Sequence, residues 1–171
     1  ICGDGPMREG LRNLAVRRGV SERVHFEGWV EPAGIACRMA ASDALLFPSK
    51  RSPEGWVEAQ GVVAIEAMRA GLPVLASRSG GIPDVVEHGV TGWLFEEGDV
   101  AAMARLIGAC AADALPNMPA VIAQARNFAS NDVTRDKTAE AFHRLFLELT
   151  AAKMPGRANG QRSPLGAGSN R

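Results

Sequence analysis

The sequence predicts an α/β fold in which a parallel sheet is covered by helices on both faces. Short apolar runs bounded by turn residues alternate with segments of helical periodicity as far as about residue 115. Strands and helices that alternate in this way form βαβ units, because neighbouring parallel strands need a crossover connection. Beyond about residue 115 the pattern is helical only. We therefore expect one sheet domain followed by C-terminal helices.

Four segments have the length and apolar character of strands. They are 24–30 (VHFEGWV), 43–49 (DALLFPS), 72–77 (LPVLAS) and 92–97 (GWLFEE). In parallel sheets ligands bind beyond the carboxyl ends of the strands, in the loops that lead into helices. The loops after 43–49 and 72–77 are therefore the places to look for a site.

Six helices are predicted from apolar periodicity and from residues typical of helix ends. Pro6 and Pro32 suit a first helical turn, and Gly19 and Gly71 suit the residue just past a helix. The predicted helices are 6–18, 32–41, 62–70, 100–112, 117–129 and 132–149. The last one carries an apolar stripe at three- and four-residue steps, formed by Phe142, Leu145, Phe146 and Leu149.

Composition and charge indicate a soluble globular domain over residues 1–149 and a disordered basic tail over 150–171. Hydrophobic residues make up 46% of the 171 residues and charged residues 22%. Four of the 19 basic side chains but none of the 19 acidic ones lie beyond residue 149, so residues 1–149 carry a net charge of −4. This argues against a nucleic-acid partner. The basic tail leaves a peripheral contact with anionic lipid open.

The cysteines and histidines predict neither a disulfide framework nor a metal site. The three cysteines are widely spaced without a C-x-x-C pair, and the three histidines do not cluster with acids at ligand spacing. No apolar run approaches the roughly 18–20 residues of a membrane span. We therefore expect a reducing, cytoplasmic location and no metal.

The loop 48–61 (PSKRSPEGWVEAQG) is the strongest candidate segment. Free N–H groups at Gly61, Val62 and Val63 could hold a phosphate at the start of the next helix, although Gly61 is equally a plain helix entry. Glu66 could accept hydrogen bonds from a ribose diol, or could simply face solvent or pair with Arg69 on the helix surface. Glu58, in the loop, could converge on the same ligand.

A third loop follows the strand candidate 72–77 and begins with Gly80-Gly81 before Pro83. A tight turn explains these residues on structural grounds alone. Its position after a strand end nevertheless places it on the same rim as Glu58 and Gly61.

Glu58 and Glu66, separated by seven residues, match the E-x7-E signature of retaining nucleotide-sugar glycosyltransferases. The segment EAQGVVAIEAMRAGLPVLASRSGGIPDVVEHGVTGWLF resembles the donor-binding segment of glycosyltransferase family 4. Three upstream blocks follow the same family in order, namely CGDGPMREGLRNLA, RVHFEGWV and ASDALLFPS. The resemblance covers about residues 2–149.

The resemblance implies the C-terminal, Rossmann-like half of a GT-B fold, which binds the donor. It assigns Glu66 to the ribose hydroxyls and Glu58, the candidate catalytic residue, to hydroxyls of the transferred sugar. The turn Gly28-Trp29-Val30 would lie beside the nucleotide base, which it would contact through backbone groups. The amides at 61–63 would hold the diphosphate, with neither metal nor other cofactor.

The expected function is therefore that of a retaining glycosyltransferase donor domain, which binds a nucleoside-diphosphate sugar for transfer to a glycan, lipid or small-molecule acceptor, as in polysaccharide biosynthesis. A nucleotide-sugar epimerase and a catalytically silent binding domain stay open as alternatives. The basic diphosphate clamp and the N-terminal domain of the family would lie upstream of residue 2. The 171-residue chain alone is therefore expected to be inactive. The apolar stripe would face that N-terminal domain, and the long loop KRSPEGWV would reflect donor or acceptor choice.

Overall fold

The structure is a computed structural model and describes residues 1–152. The chain divides into two compact units, of which the first comprises Ile1–Val133 and the second begins at Thr134. Of the tail predicted at 150–171, residues 150–152 form the last residues of a helix, and the rest lies outside the described residues.

The first unit contains a three-stranded parallel sheet. Its strands are β1 (Leu45–Phe47), β2 (Val74–Ser77) and β3 (Trp93–Phe95), in the spatial order β1-β2-β3. Leu45 lies opposite Val74, and Leu75 lies opposite Trp93. Each strand falls inside a predicted one and is a short apolar run bounded by turn residues.

The strand predicted at 24–30 is wrong. Residues 25–28 contact residues 1–3 through a few hydrogen bonds, such as Gly3 N–H to Gly28 O (2.7 Å) and Glu27 N–H to Ile1 O (2.9 Å). Gly28 has a φ of +68°, in the left-handed region, which breaks the extended conformation that a ladder requires. The segment therefore forms isolated bridges rather than a strand.

All six predicted helices are present, with ends within about three residues of the predicted ones. They are α1 (Arg8–Arg17), α2 (Pro32–Ala40), α3 (Val62–Ala70), α4 (Val100–Ala111), α5 (Met118–Asn131) and α6 (Arg135–Ala152). Pro32 occupies the first turn of α2, and Gly71 ends α3 with a φ of +81°. Two single-turn 3-10 helices, Ser21–Arg23 and Ile82–Asp84, complete the set for the described residues.

The core has two layers, one on each face of the sheet. Val74 and Ala76 of β2 pack with Ala64 and Met68 of α3 in one cluster. Leu75, which points to the other face, packs with residues of α4 and α5 and with Trp93 and Leu115. A strand buried on both faces, as β2 is, is typical of a parallel sheet between helices. The predicted α/β fold with helices on both faces is confirmed.

The helix α6 belongs to the second unit. Its predicted apolar stripe consists of exposed side chains, with between 48% and 64% of the surface of Phe142, Leu145, Phe146 and Leu149 accessible. Among the residues that the structure describes, no helix is long and apolar enough to cross a membrane.

Candidate functional site

The loops that follow β1 and β2 meet at one rim of the sheet. Gly81 donates its N–H to the carbonyl oxygen of Glu58 at 2.9 Å. A Cβ built on Gly80 would lie 2.0 Å from that same oxygen, and one on Gly81 would lie 2.1 Å from the carbonyl oxygen of Ala59. The glycine pair therefore allows the two loops to pack backbone against backbone.

Glu58 lies in the loop before α3, as predicted, and is half-buried. Its Oε1 accepts hydrogen bonds from the N–H groups of Gly61 (3.0 Å) and Gln60 (3.3 Å). The carboxylate thus stabilises the entry to α3, where unsatisfied N–H groups and the positive end of the helix dipole favour a negative charge. Gly61 is buried with a φ of +63°, and a Cβ there would lie 3.2 Å from Cγ2 of Val85.

Two of the three amides predicted to hold a phosphate are open. The Gly61 N–H is bonded to Glu58 Oε1. The N–H groups of Val62 and Val63 have no acceptor in the described part of the chain. The first turn of α3 therefore presents two free donors, at the end of the helix that attracts anions.

A cavity of about 690 Å³ adjoins α3. It brings together four of the predicted site residues, Trp29, Val30, Val63 and Glu66. The volume lies within the roughly 300–1,000 Å³ typical of small-molecule sites. Its lining is mainly apolar, and Glu66 supplies the one carboxylate in it.

Glu66 is not paired with Arg69, so of the two plain alternatives for this glutamate only the solvent-facing one stays open. The guanidinium of Arg69 donates from Nε to the carbonyl oxygen of Ala129 (2.9 Å) and from Nη2 to that of Val133 (3.1 Å). Glu66 is exposed, and its carboxylate has no hydrogen-bond or ion-pair partner within residues 1–152. An unpaired carboxylate beside apolar walls is available to a ligand with hydroxyl groups.

The turn predicted to lie beside a base, Gly28-Trp29-Val30, contributes only two of its three residues to the cavity lining. The carbonyl oxygen of Gly28 accepts from Gly3, and Gly28 packs against the guanidinium of Arg8, so it lies outside the cavity lining. Trp29 is 77% exposed and lines the cavity together with Val30. The backbone polar groups of Trp29 and Val30 have no partner among the described residues.

The structure also shows lining residues that the sequence reading missed. One face of α2 contributes Pro32, Ile35, Ala36 and Met39 to the cavity. Their spacing of three, four and seven residues is typical of one helical face, but such a pattern alone does not distinguish a cavity lining from a core. Of the remaining predicted residues, Glu58, Gly61 and Val62 lie at the entry to α3 and do not line this cavity.

The loop before Glu58 is fastened to its surroundings. The Arg51 N–H donates to Oε1 of Glu97 at 2.7 Å, and this bond lowers the pKa of the Glu97 carboxyl below its ordinary value. Two residues earlier in the loop, the carbonyl oxygen of Ser49 accepts a hydrogen bond from the Ser77 hydroxyl. The loop is therefore held to β2 and to the residues that follow β3.

The described residues contain no group of three or more His, Cys, Asp or Glu side chains placed to hold a metal ion. The three cysteines are free.

This unit, a parallel sheet between helices with a cavity of small-molecule size along α3, is of the Rossmann-like α/β class. Residues 1–128 match the family "Glycosyl transferases group 1", and the chain belongs to that family.

Two curated relatives illustrate the family match. Amylovoran biosynthesis glycosyltransferase AmsK of Erwinia amylovora is 30% identical over 148 residues, which are 85% of this chain and 36% of AmsK. A D-inositol 3-phosphate glycosyltransferase of Streptomyces scabiei is 41% identical over 112 residues, which are 66% of this chain and 23% of the relative. The chain thus spans between about a quarter and a third of the length of these relatives.

Solved structures agree with the fold. Anabaena Alr3699/HepE in complex with UDP-glucose is 29% identical, with a TM-score of 0.69 over 88% of this chain and 40% of that one. Sucrose-phosphate synthase from Thermosynechococcus elongatus is 27% identical, with a TM-score of 0.71 over 88% of this chain and 37% of that one. These likenesses support the predicted Rossmann-like, GT-B type of α/β fold.

Proposed function

We propose that this chain is the donor-binding part of a retaining glycosyltransferase of family 4, which transfers a sugar from a nucleoside-diphosphate sugar to an acceptor. The observation that carries the proposal is the cavity that Glu66, with its unpaired carboxylate, lines together with Trp29, Val30 and Val63. The UDP-glucose and UDP complexes of Anabaena Alr3699/HepE support a nucleotide sugar as the ligand.

The cavity suits the nucleoside half of the donor. Glu66 accepts hydrogen bonds from the two ribose hydroxyls, and charge-assisted bonds of this kind contribute about 1.5–3 kcal/mol each. The open N–H and C=O groups of Trp29 and Val30 match the edge of a base, which carries both donors and acceptors. The apolar face of α2 contacts the base ring.

The first turn of α3 suits the diphosphate. The free N–H groups of Val62 and Val63 donate to phosphate oxygens. Gly61 provides the left-handed backbone at which the helix begins. These amides also stabilise the negative charge that develops on the diphosphate as the sugar leaves.

Glu58 has one carboxylate oxygen left for the sugar. Its Oε1 is bonded to Gly61 and Gln60, whereas its Oε2 has no hydrogen-bond partner among residues 1–152. We assign Oε2 to a hydroxyl of the transferred sugar. This makes Glu58 a residue that positions the sugar and at the same time holds Gly61, the residue directly before the two amides assigned to the diphosphate.

The remaining parts of the proposal follow from the family. The acceptor is a glycan, lipid or small molecule, and the names of relatives in amylovoran and colanic acid biosynthesis favour a role in polysaccharide biosynthesis. A further domain, contacted by the stripe on α6, completes the active site. We expect neither a metal nor another cofactor, and a cytoplasmic location with peripheral membrane contact.

The test is direct binding of nucleotides to the full-length protein by isothermal titration calorimetry. We expect saturable binding of at least one of UDP, GDP and ADP, and weaker binding of the matching monophosphate because it lacks the second phosphate. Inorganic pyrophosphate alone serves as the control for a simple anion site. If none of the three diphosphates binds, the proposal is wrong.

A further inference from the structure

Trp56 stands exposed on the loop before Glu58, with 78% of its surface accessible. A tight turn presents it. Gly55, with a φ of +92°, donates its N–H to the carbonyl oxygen of Ser52 at 3.0 Å, and the Ser52 N–H donates to the carbonyl oxygen of Trp56 at 2.8 Å. The Trp56 N–H in turn donates to the Ser52 hydroxyl at 3.1 Å. Pro53 fixes φ at the second position of this turn.

The loop is fastened on both sides of this turn. Before it, Arg51 is bonded to Glu97, and two residues after Trp56 the carbonyl oxygen of Glu58 is bonded to Gly81. The backbone that carries the indole is therefore held in place. Because Trp56 is mostly in water, its large apolar surface contributes little to the free energy of folding. A rigidly presented, exposed tryptophan is instead typical of a binding surface.

The surroundings of Trp56 identify the kind of ligand that it suits. Lys50, Arg51 and Glu54 are exposed within six residues of it, and Glu58 is half-buried two residues away. The core of a protein interface is depleted of such charges, and the carboxylates disfavour an anionic lipid surface. A sugar ring has apolar C–H faces and a rim of hydroxyls, so it matches an aromatic ring surrounded by polar groups.

We propose that Trp56 forms a stacking surface for a sugar ring of the acceptor, beside the residue that positions the donor sugar. This inference rests on the proposed function, because Trp56 lies beside the donor sugar only if Glu58, on the same loop, contacts that sugar. The indole contacts the C–H face of the ring, and Lys50 and Glu54 contact its hydroxyls. Trp56 thereby selects acceptors that end in a pyranose.

Saturation-transfer NMR on the full-length protein tests this inference. The probes are the methyl pyranosides of glucose, galactose, mannose and N-acetylglucosamine, each added in the presence of UDP. We expect saturable signals from the ring C–H protons of at least one glycoside. Trp56→Ala should weaken its binding by about tenfold, and Trp56→Phe, which keeps an aromatic ring, by less than about threefold.

Val57→Ala provides the matched control, since Val57 is also exposed and lies on the same loop. This variant should bind the glycoside as the wild type does. Calorimetry with UDP, GDP and ADP on each protein separates the two proposals. Normal nucleotide binding without any glycoside signal, or with equal signals in wild type and Trp56→Ala, overturns the stacking surface alone. Absence of nucleotide binding in the wild type overturns the proposed function and this inference with it.

Discussion

Gly81 and Glu58 are joined through their backbones, with the Gly81 N–H donating to the Glu58 carbonyl oxygen at 2.9 Å. Gly80, in the left-handed region with a φ of +54°, brings the loop so close that a Cβ there would lie 2.0 Å from the same oxygen. The position of Glu58 is therefore set by a glycine pair more than 20 residues further along the chain. The loop that carries Glu58 and the Gly80-Gly81 turn therefore form one structural unit, although they are separate in the sequence.

Gly81→Ala should disrupt this unit. Gly81 has a φ of −84°, which alanine also adopts, so the cost arises from its Cβ lying 2.1 Å from the carbonyl oxygen of Ala59. We expect the free energy of unfolding to fall by about 1–3 kcal/mol, as for other overpacked sites, together with weaker nucleotide-sugar binding. Urea denaturation and calorimetry measure the two effects.

Gly108→Ala is the control for this prediction. Gly108 lies inside α4, and a Cβ there would meet nothing within 4 Å. Alanine should therefore raise the free energy of unfolding by about 0.5–1 kcal/mol through its helix propensity. If Gly81→Ala were as stable as Gly108→Ala, the close packing of the two loops would be refuted.

Replacements of Glu58 should separate its structural role from its role toward the sugar. Glu58→Gln keeps an oxygen that can accept from Gly61 and Gln60, so its thermal unfolding should stay close to that of the wild type. Glu58→Ala leaves those N–H groups without the acceptor and should lower stability by about 0.5–2 kcal/mol, as for a lost helix cap. In the full-length protein both variants should lose sugar transfer. Sugar transfer at the wild-type rate by Glu58→Gln would show that the Glu58 carboxylate does not position the transferred sugar.

The fold could be predicted to the extent that it depends on local signals. The six helices and three strands follow from periodicity, prolines and glycines within each segment. The failure at 24–30 has a different origin. Whether an apolar run becomes a strand depends on a partner and on an extended backbone, and Gly28 adopts a left-handed conformation that its neighbours in sequence do not reveal.

The sequence predicts candidate residues for the site, but it does not predict the hydrogen bonds and contacts between them. The position of Glu66 in its helix predicts a site residue, the family resemblance predicts Trp29 and Val30, and all three line the cavity. The bond from Gly61 N–H to Glu58 Oε1 cannot be predicted from the sequence, since spacing gives no information on the direction of a side chain in a loop. The contribution of α2 was visible in its periodicity, but nothing in that pattern tells whether the face lines a cavity or a core.

The Glu97 contact predicts a dependence of stability on pH. The Arg51 N–H lowers the pKa of the Glu97 carboxyl in the folded state. The carboxylate therefore stabilises the fold above the ordinary pKa of a glutamate, and this stabilisation is lost as the pH falls through the lowered folded-state value. Glu97→Gln should unfold at lower urea than the wild type at pH 7, and the difference should shrink toward pH 3. A difference that is constant over this range would exclude the linkage.

Glu66→Gln gives the sharpest test of the site. Glu66 is exposed and has no partner among the described residues, so the substitution should leave the unfolding transition unchanged. The amide keeps one acceptor but loses the charge, and affinity for the nucleoside diphosphate should fall by about 1–3 kcal/mol, or between about fivefold and 150-fold. The 2′-deoxy nucleotide should bind wild type and variant more nearly alike, since it lacks one of the hydroxyls that Glu66 contacts. Glu9→Gln, an exposed glutamate on α1 outside the cavity, is the matched control and should bind nucleotide as the wild type does. Equal affinities of Glu66→Gln and Glu9→Gln would show that Glu66 does not hold the ribose.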